Sequence, residues 1–208
     1  MNFVRTSLAN GLVLTALITS CMQPAEAQQK KLADVPPTED GGTIYTASEL
    51  ASLAPPARPG DVVSPEALLA ALHDSISGPA GPVDWNRLRS LFLPSARLSS
   101  VRTDANGVTH ITTSSVEELI TSGAAEREKT PWYEVILAKH IEKFDNIAVA
   151  FYSHDDRTSR EGKAIQRSVN ACSMLYDGKR WWIQSASWNV LPQSMNLPTD
   201  LDTAKQPN

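Results

Sequence analysis

Four histidines, His73, His110, His140 and His154, hold the side chains of this chain best suited to moving a proton near neutral pH. No two of them stand at a metal-ligating spacing, and Cys21 and Cys172 form no cluster, so the pattern predicts neither a metal nor a cofactor. His110 alternates with Val108 and Thr112 on one face of a strand and is the pocket candidate. Asn170 and Trp181 on later strands are expected beside it, with His110 as base and Asn170 as its polar orienter. His140 and Glu142 also share a strand face, but Lys139 and Lys143 around them indicate a solvated surface. His154 borders a charged loop and is expected to face solvent, while His73 belongs to no motif. There is no G-x-S-x-G, P-loop or dinucleotide fingerprint, which removes the hydrolase, kinase and Rossmann classes.

The elements that would position these residues are legible from periodicity. Ser64-Pro65-Glu66 is an N-cap followed by Pro and an acid. Leu68, Leu72 and Ile76 then make one apolar stripe of a helix that ends at Gly78-Pro79. A second helix is capped by Asp84 and buries Trp85, Leu88, Leu91 and Phe92 before Pro94. Strands 97–103 and 108–113 flank Asn106-Gly107 as a hairpin, and Ser115 to Glu118 is a capping box that opens a third helix. Strands are then predicted over 132–144, 147–154, 164–176 and 179–188. The last two are joined at Asp177-Gly178, and the charged segment 155–163 is read as a loop.

Around this region, 64–192, lie segments of different character. Arg5, an apolar run from Leu8 to Ile18, Pro24 and Ala25-Glu26-Ala27 read as a signal peptide over residues 1–27. Ile18-Thr19-Ser20-Cys21 offers the alternative of a lipobox, with Cys21 lipidated. Either way the protein is expected to be exported, periplasmic or secreted, and to meet a membrane only through such an anchor. Residues 28–63, with their Pro-Pro and Gly-Gly pairs, read as a flexible linker in which 47–53 could form a short helix; residues 193–208 read as a disordered tail. The formal net charge is -4 and no basic stripe is present, which argues against nucleic acid as a partner.

The element order, together with Tyr176-Asp177-Gly178-Lys179-Arg180-Trp181-Trp182-Ile183 and the upstream Val169-Asn170, resembles the nuclear transport factor 2-like superfamily, which includes SnoaL-like cyclases. That resemblance implies an α+β fold in which a cone-shaped, curved antiparallel sheet packs on three helices, with a pocket at the wide end and commonly a homodimer. It places Trp181 and Ile183 inward. Strict alternation then leaves Trp182 and Trp188 on the outer face, where two large aromatics predict a dimer interface. With no catalytic constellation in view, the leading expectation is an exported, non-catalytic domain that binds a small apolar ligand or a partner. The alternative is a cofactor-independent lyase, isomerase or cyclase.

Overall fold

The computed structural model describes residues 44–192 and 195–202. The expectations for residues 1–27, Cys21 among them, lie outside the described residues.

Helix α1 (Ala47–Ser52) is opened by a capping box between Thr46 and Glu49. Helix α2 (Pro65–Ile76) starts where the Ser64 hydroxyl accepts the Ala67 amide, and it buries Leu68, Leu69 and Leu72 as its stripe requires. Helix α3 (Trp85–Leu91) is capped by Asp84, whose Oδ1 accepts the Arg87 amide. Helix α4 (Val116–Arg127) has the Ser115–Glu118 capping box and runs through Gly123 without fraying. Val62 is a core residue whose carbonyl accepts the Trp181 amide, so the packed chain begins upstream of Ser64.

The six strands are β1 (Phe92–Thr103), β2 (Thr109–Ser114), β3 (Tyr133–Phe144), β4 (Ile147–Arg157), β5 (Ala164–Tyr176) and β6 (Trp181–Val190). They form one curved, unclosed sheet in the order β2-β1-β6-β5-β4-β3, with the helices against its concave side. All neighbours are antiparallel except β1 and β6, so the sheet carries one parallel pair that the hairpin signals could not reveal. The β5–β6 turn has Gly178 at φ 91, a conformation for which glycine carries no steric cost.

Two irregularities decide which side chains face inward. Between β5 and β6, Met174 pairs with Ile183 and Ser173 with Ser185, which leaves Gln184 as an extra residue on β6. Between β3 and β4, Ile136 pairs with His154 and Ala138 with Ser153, which leaves Leu137 extra on β3. Each bulge reverses the in-out alternation along its strand. Trp181 and Ile183 point inward as expected, but beyond Gln184 it is Ala186 and Trp188 that face the concave side.

The interface expected at Trp182 and Trp188 is therefore corrected. Trp182 is 1% exposed: its indole Nε1 donates to Asp177 Oδ2 at 2.7 Å, and the Arg180 guanidinium lies 3.7 Å from its ring centre. Trp188 is half-buried and faces the interior. Strand β4 also continues to Arg157, so the segment read as a loop begins three residues later than expected. The tail is not wholly unstructured: Leu197 and Leu201 are buried, and the Leu201 carbonyl accepts the Ser153 hydroxyl on the convex side of the sheet.

Candidate active site

The helices and the concave face of the sheet enclose a cavity of about 370 Å³. Its apolar walls come from Leu72 and Ile76 of α2, Trp85 and Leu88 of α3, Leu119 of α4, and Leu98 and Trp188 of the sheet. Its polar floor comes from inward positions of three adjacent strands. Tyr152, His154 and Asp156 alternate along β4, Ser168 and Asn170 face them from β5, and Glu134 faces them from β3. A small cavity with mostly apolar lining and a few convergent polar groups is the usual form of a small-molecule site.

Two histidine–carboxylate pairs stand on this floor. His73, from the last turns of α2, places Nδ1 2.6 Å from Glu134 Oε2; the two side chains are 6% and 14% exposed. Glu134 is further fixed by the Trp132 indole, which donates to Oε1 at 3.3 Å, and by the Ser77 hydroxyl, which accepts its amide. Burial alone would raise the Glu134 carboxyl. The facing positive charge of His154, the hydrogen bond and charge of His73 and the Trp132 bond outweigh it and hold the group at about 2. Glu134 is thus an ionised acceptor, so His73 Nδ1 carries the proton of this bond. His73 Nε2 is left buried with no partner among the described residues.

His154 lies beyond, its ring centre 5.1 Å from that of His73. Its Nε2 is 3.0 Å from Asp156 Oδ1, and its Nδ1 is 3.0 Å from the Asn170 amide. Burial disfavours the charged ring, but Glu134, Asp156 and Asp155 together raise its proton affinity above the ordinary histidine value. Asp156 is itself raised, chiefly by burial and by the nearby Glu134. The ring of Tyr152 stands edge-on to His73 at 5.1 Å, and burial, Cys172 and Glu134 push its phenol well above the usual range. Its hydroxyl therefore stays protonated, and it has no hydrogen-bond partner among the described residues.

His73, Glu134 and His154 also bring potential ligand atoms within 4.8 Å of one another, a two-histidine, one-carboxylate set that no local spacing foretold. Those atoms are already committed to one another, to Asp156 and to Asn170; only His73 Nε2 is free. Such an arrangement can hold and pass protons. A shallower cleft of about 590 Å³ lies outside the same dyad, but its charges are mutually paired, Arg87 with Asp61 and Asp74, and Arg160 with Asp74.

Of the residues expected at a pocket, the structure brings only Asn170 to the cavity. His110 lies on β2 at the sheet edge with its side chain 60% exposed and bonded to Asp104, because β2 extends past the helical cover. Trp181 packs in the core against Tyr176, below the cavity. His154, expected in solvent, is buried, because β4 runs on past it. His140 and Glu142 pair on the surface. The residues missed were His73, Glu134, Tyr152 and Asp156. The alternation Tyr152, His154, Asp156 was readable once β4 was carried to Arg157. Glu134 was not, because its face depends on the bulge at Leu137.

Helices against the concave face of a curved six-stranded sheet make an α+β cone. Several solved structures similar to this chain are described as nuclear transport factor 2-like. One is a protein of this type of unknown function from Shewanella baltica, with 14% identity and a TM-score of 0.43 over 61% of this chain and 90% of that one. A proposed dehydratase of the same family from Streptomyces avermitilis shows 15% identity and a TM-score of 0.46 over 64% and 96%. A protein of unknown function with a cystatin-like fold from Nostoc punctiforme shows 13% identity and a TM-score of 0.47 over 61% and 87%. No protein-family model and no curated protein sequence matches the chain.

Proposed function

We propose that the chain is a cofactor-independent lyase or isomerase that removes a proton from carbon next to a carbonyl group. The observation that carries this reading is the buried His73–Glu134 pair, whose imidazole is held through Nδ1 while Nε2 is left without a partner in a largely apolar cavity. In the reaction, the C–H proton passes to His73 Nε2 and the bonding electrons form an enolate. The Tyr152 hydroxyl donates to the oxygen on which that charge develops, and the His154 ring stands behind it. The protonated His73 then returns its proton to another carbon, giving an isomer, or to a departing β-hydroxyl, giving water and an alkene. Glu134 is the positioning residue for His73, and Asp156 and Asn170 position His154.

The N-terminal pattern of Arg5, an apolar run and Ala25-Glu26-Ala27 supports an exported setting for this chemistry. The second reading, a domain that binds a small ligand without chemistry, uses the same cavity. Proton NMR of 4-oxo-4-phenylbutanoate in deuterated water separates the two. Protein-dependent loss of the signal from the CH2 beside the ketone is expected. Binding with exchange no faster than in buffer overturns the catalytic reading and leaves the binding domain.

A further inference from the structure

The polar floor continues along one wall to the cavity mouth. From His154 it passes to Asp156, then to Gln166, whose Nε2 donates to Asp156 Oδ2 at 2.8 Å, and then to Arg102, whose Nη2 approaches Gln166 Oε1 at 3.5 Å. Arg102 projects from the concave side of β1, on the same face as Leu98, and lines the cavity. A strand-end arginine is ordinarily a solvated surface residue, and Arg102 is itself exposed, but two observations set it apart from Arg127, the other arginine of the cavity.

First, it is a cation without a counter-ion. Its only hydrogen bond among the described residues is the long one to Gln166, and it forms no ion pair among them. Arg87, Arg89 and Arg167, by contrast, each grip a carboxylate with two nitrogens. Arg127, the other cation lining the cavity, spends its guanidinium on the carbonyls of Ile76 and Thr130. Second, the row is polarised. The Gln166 amide gives its NH2 to Asp156 and turns its carbonyl to Arg102, so the guanidinium ends a chain of oriented dipoles opposite an apolar wall.

We infer that Arg102 receives the carboxylate of the substrate, so that the site takes small amphipathic carboxylic acids whose reactive carbon lies at the opposite end, over His73. A guanidinium fork fits one planar carboxylate by two parallel N–H donors. A phosphate would need further free donors, and among the described residues Arg127 is spent on backbone carbonyls while Glu126 beside it accepts the Thr130 hydroxyl. The inference rests on the proposed chemistry for which end of the substrate reacts, but its binding step stands apart from that chemistry.

Isothermal titration with 4-oxo-4-phenylbutanoate and its methyl ester tests it. The full-length protein is expected to bind the acid at least tenfold more tightly than the ester, with a margin that narrows as salt is added. Arg102→Gln removes that margin and leaves the ester affinity unchanged, whereas His73→Gln keeps it. Equal affinity for acid and ester in the unaltered protein, binding of neither at millimolar concentration, or an acid preference that survives Arg102→Gln overturns the inference. An acid preference without proton exchange upholds it while removing the catalytic reading; exchange without acid preference does the reverse.

Discussion

His73 Nδ1 and Glu134 Oε2, 61 residues apart in the chain, stand 2.6 Å from each other and tie the end of α2 to the edge strand β3. The bond does two jobs. It joins the helix to the sheet beside the Gly78–Trp132 bridge and the Ser77–Glu134 bond, and it fixes which nitrogen of His73 faces the cavity. A carboxylate can only accept, so the orientation of the imidazole follows from the ionisation of Glu134.

Long-range proton–nitrogen NMR of the histidine rings should therefore find the proton of the His73–Glu134 bond on His73 Nδ1. Glu134→Gln is expected to loosen this order and to lower proton-transfer rate by about 100-fold, in line with loss of a positioned general base. A protein that still melts cooperatively would show that the loss lies in the site.

The same charges make stability depend on pH in two directions. Glu134 is depressed to about 2 from an ordinary 4.5, so its stabilising contribution is complete above 4.5 and is lost as pH falls toward 2. His154 is raised from an ordinary 6.5, so its contribution is complete below that value and disappears as pH rises through the raised value. Thermal melts across pH should show a fall on both sides of a mildly acidic maximum, and Glu134→Gln should flatten the acid limb.

How far the site could be read from the sequence follows from where parity was kept. Along β4, Tyr152, His154 and Asp156 keep strict alternation, and only the strand's end was misjudged. The charged residues Asp155 and Arg157 look like loop, yet Asp155 is buried on the convex face between Arg157 and Arg167. Along β3 and β6, single extra residues at Leu137 and Gln184 invert the faces, and no residue type at those positions announces a bulge. That inversion turned Trp188 inward. Helices, caps and hairpins, which depend on neighbours within four residues, were legible; the pairing of His73 with Glu134, which depends on how α2 meets the sheet, was not.

Trp182 supplies a test of that correction. Trp182→Ala is expected to cost about 3–5 kcal/mol of folding stability, as truncation of a large buried aromatic does, because the side chain fills space beneath Arg180 and Asp177. An interface residue would instead weaken self-association and leave the melting temperature at low protein concentration unchanged. Sedimentation and melting of the variant distinguish these results.

Since the potential ligand atoms of His73, Glu134 and His154 other than His73 Nε2 are engaged with one another and with Trp132, Asp156 and Asn170, chelation should leave proton exchange unaffected. Titration with cobalt(II) should give no intense visible absorption of a tetrahedral site. Activation by added metal, with loss on chelation, would reassign these three side chains as ligands.

The central claim is that His73 Nε2 is the base. The measurement that tests it most directly is the rate of deuterium exchange beside the ketone of 4-oxo-4-phenylbutanoate, compared among the unaltered protein, His73→Gln and His110→Ala. The account predicts a loss of about 100-fold or more in His73→Gln. In His110→Ala the rate should be unchanged, because that ring lies outside the cavity on the sheet edge. A His73→Gln variant that binds the ligand and exchanges at the unaltered rate would contradict it.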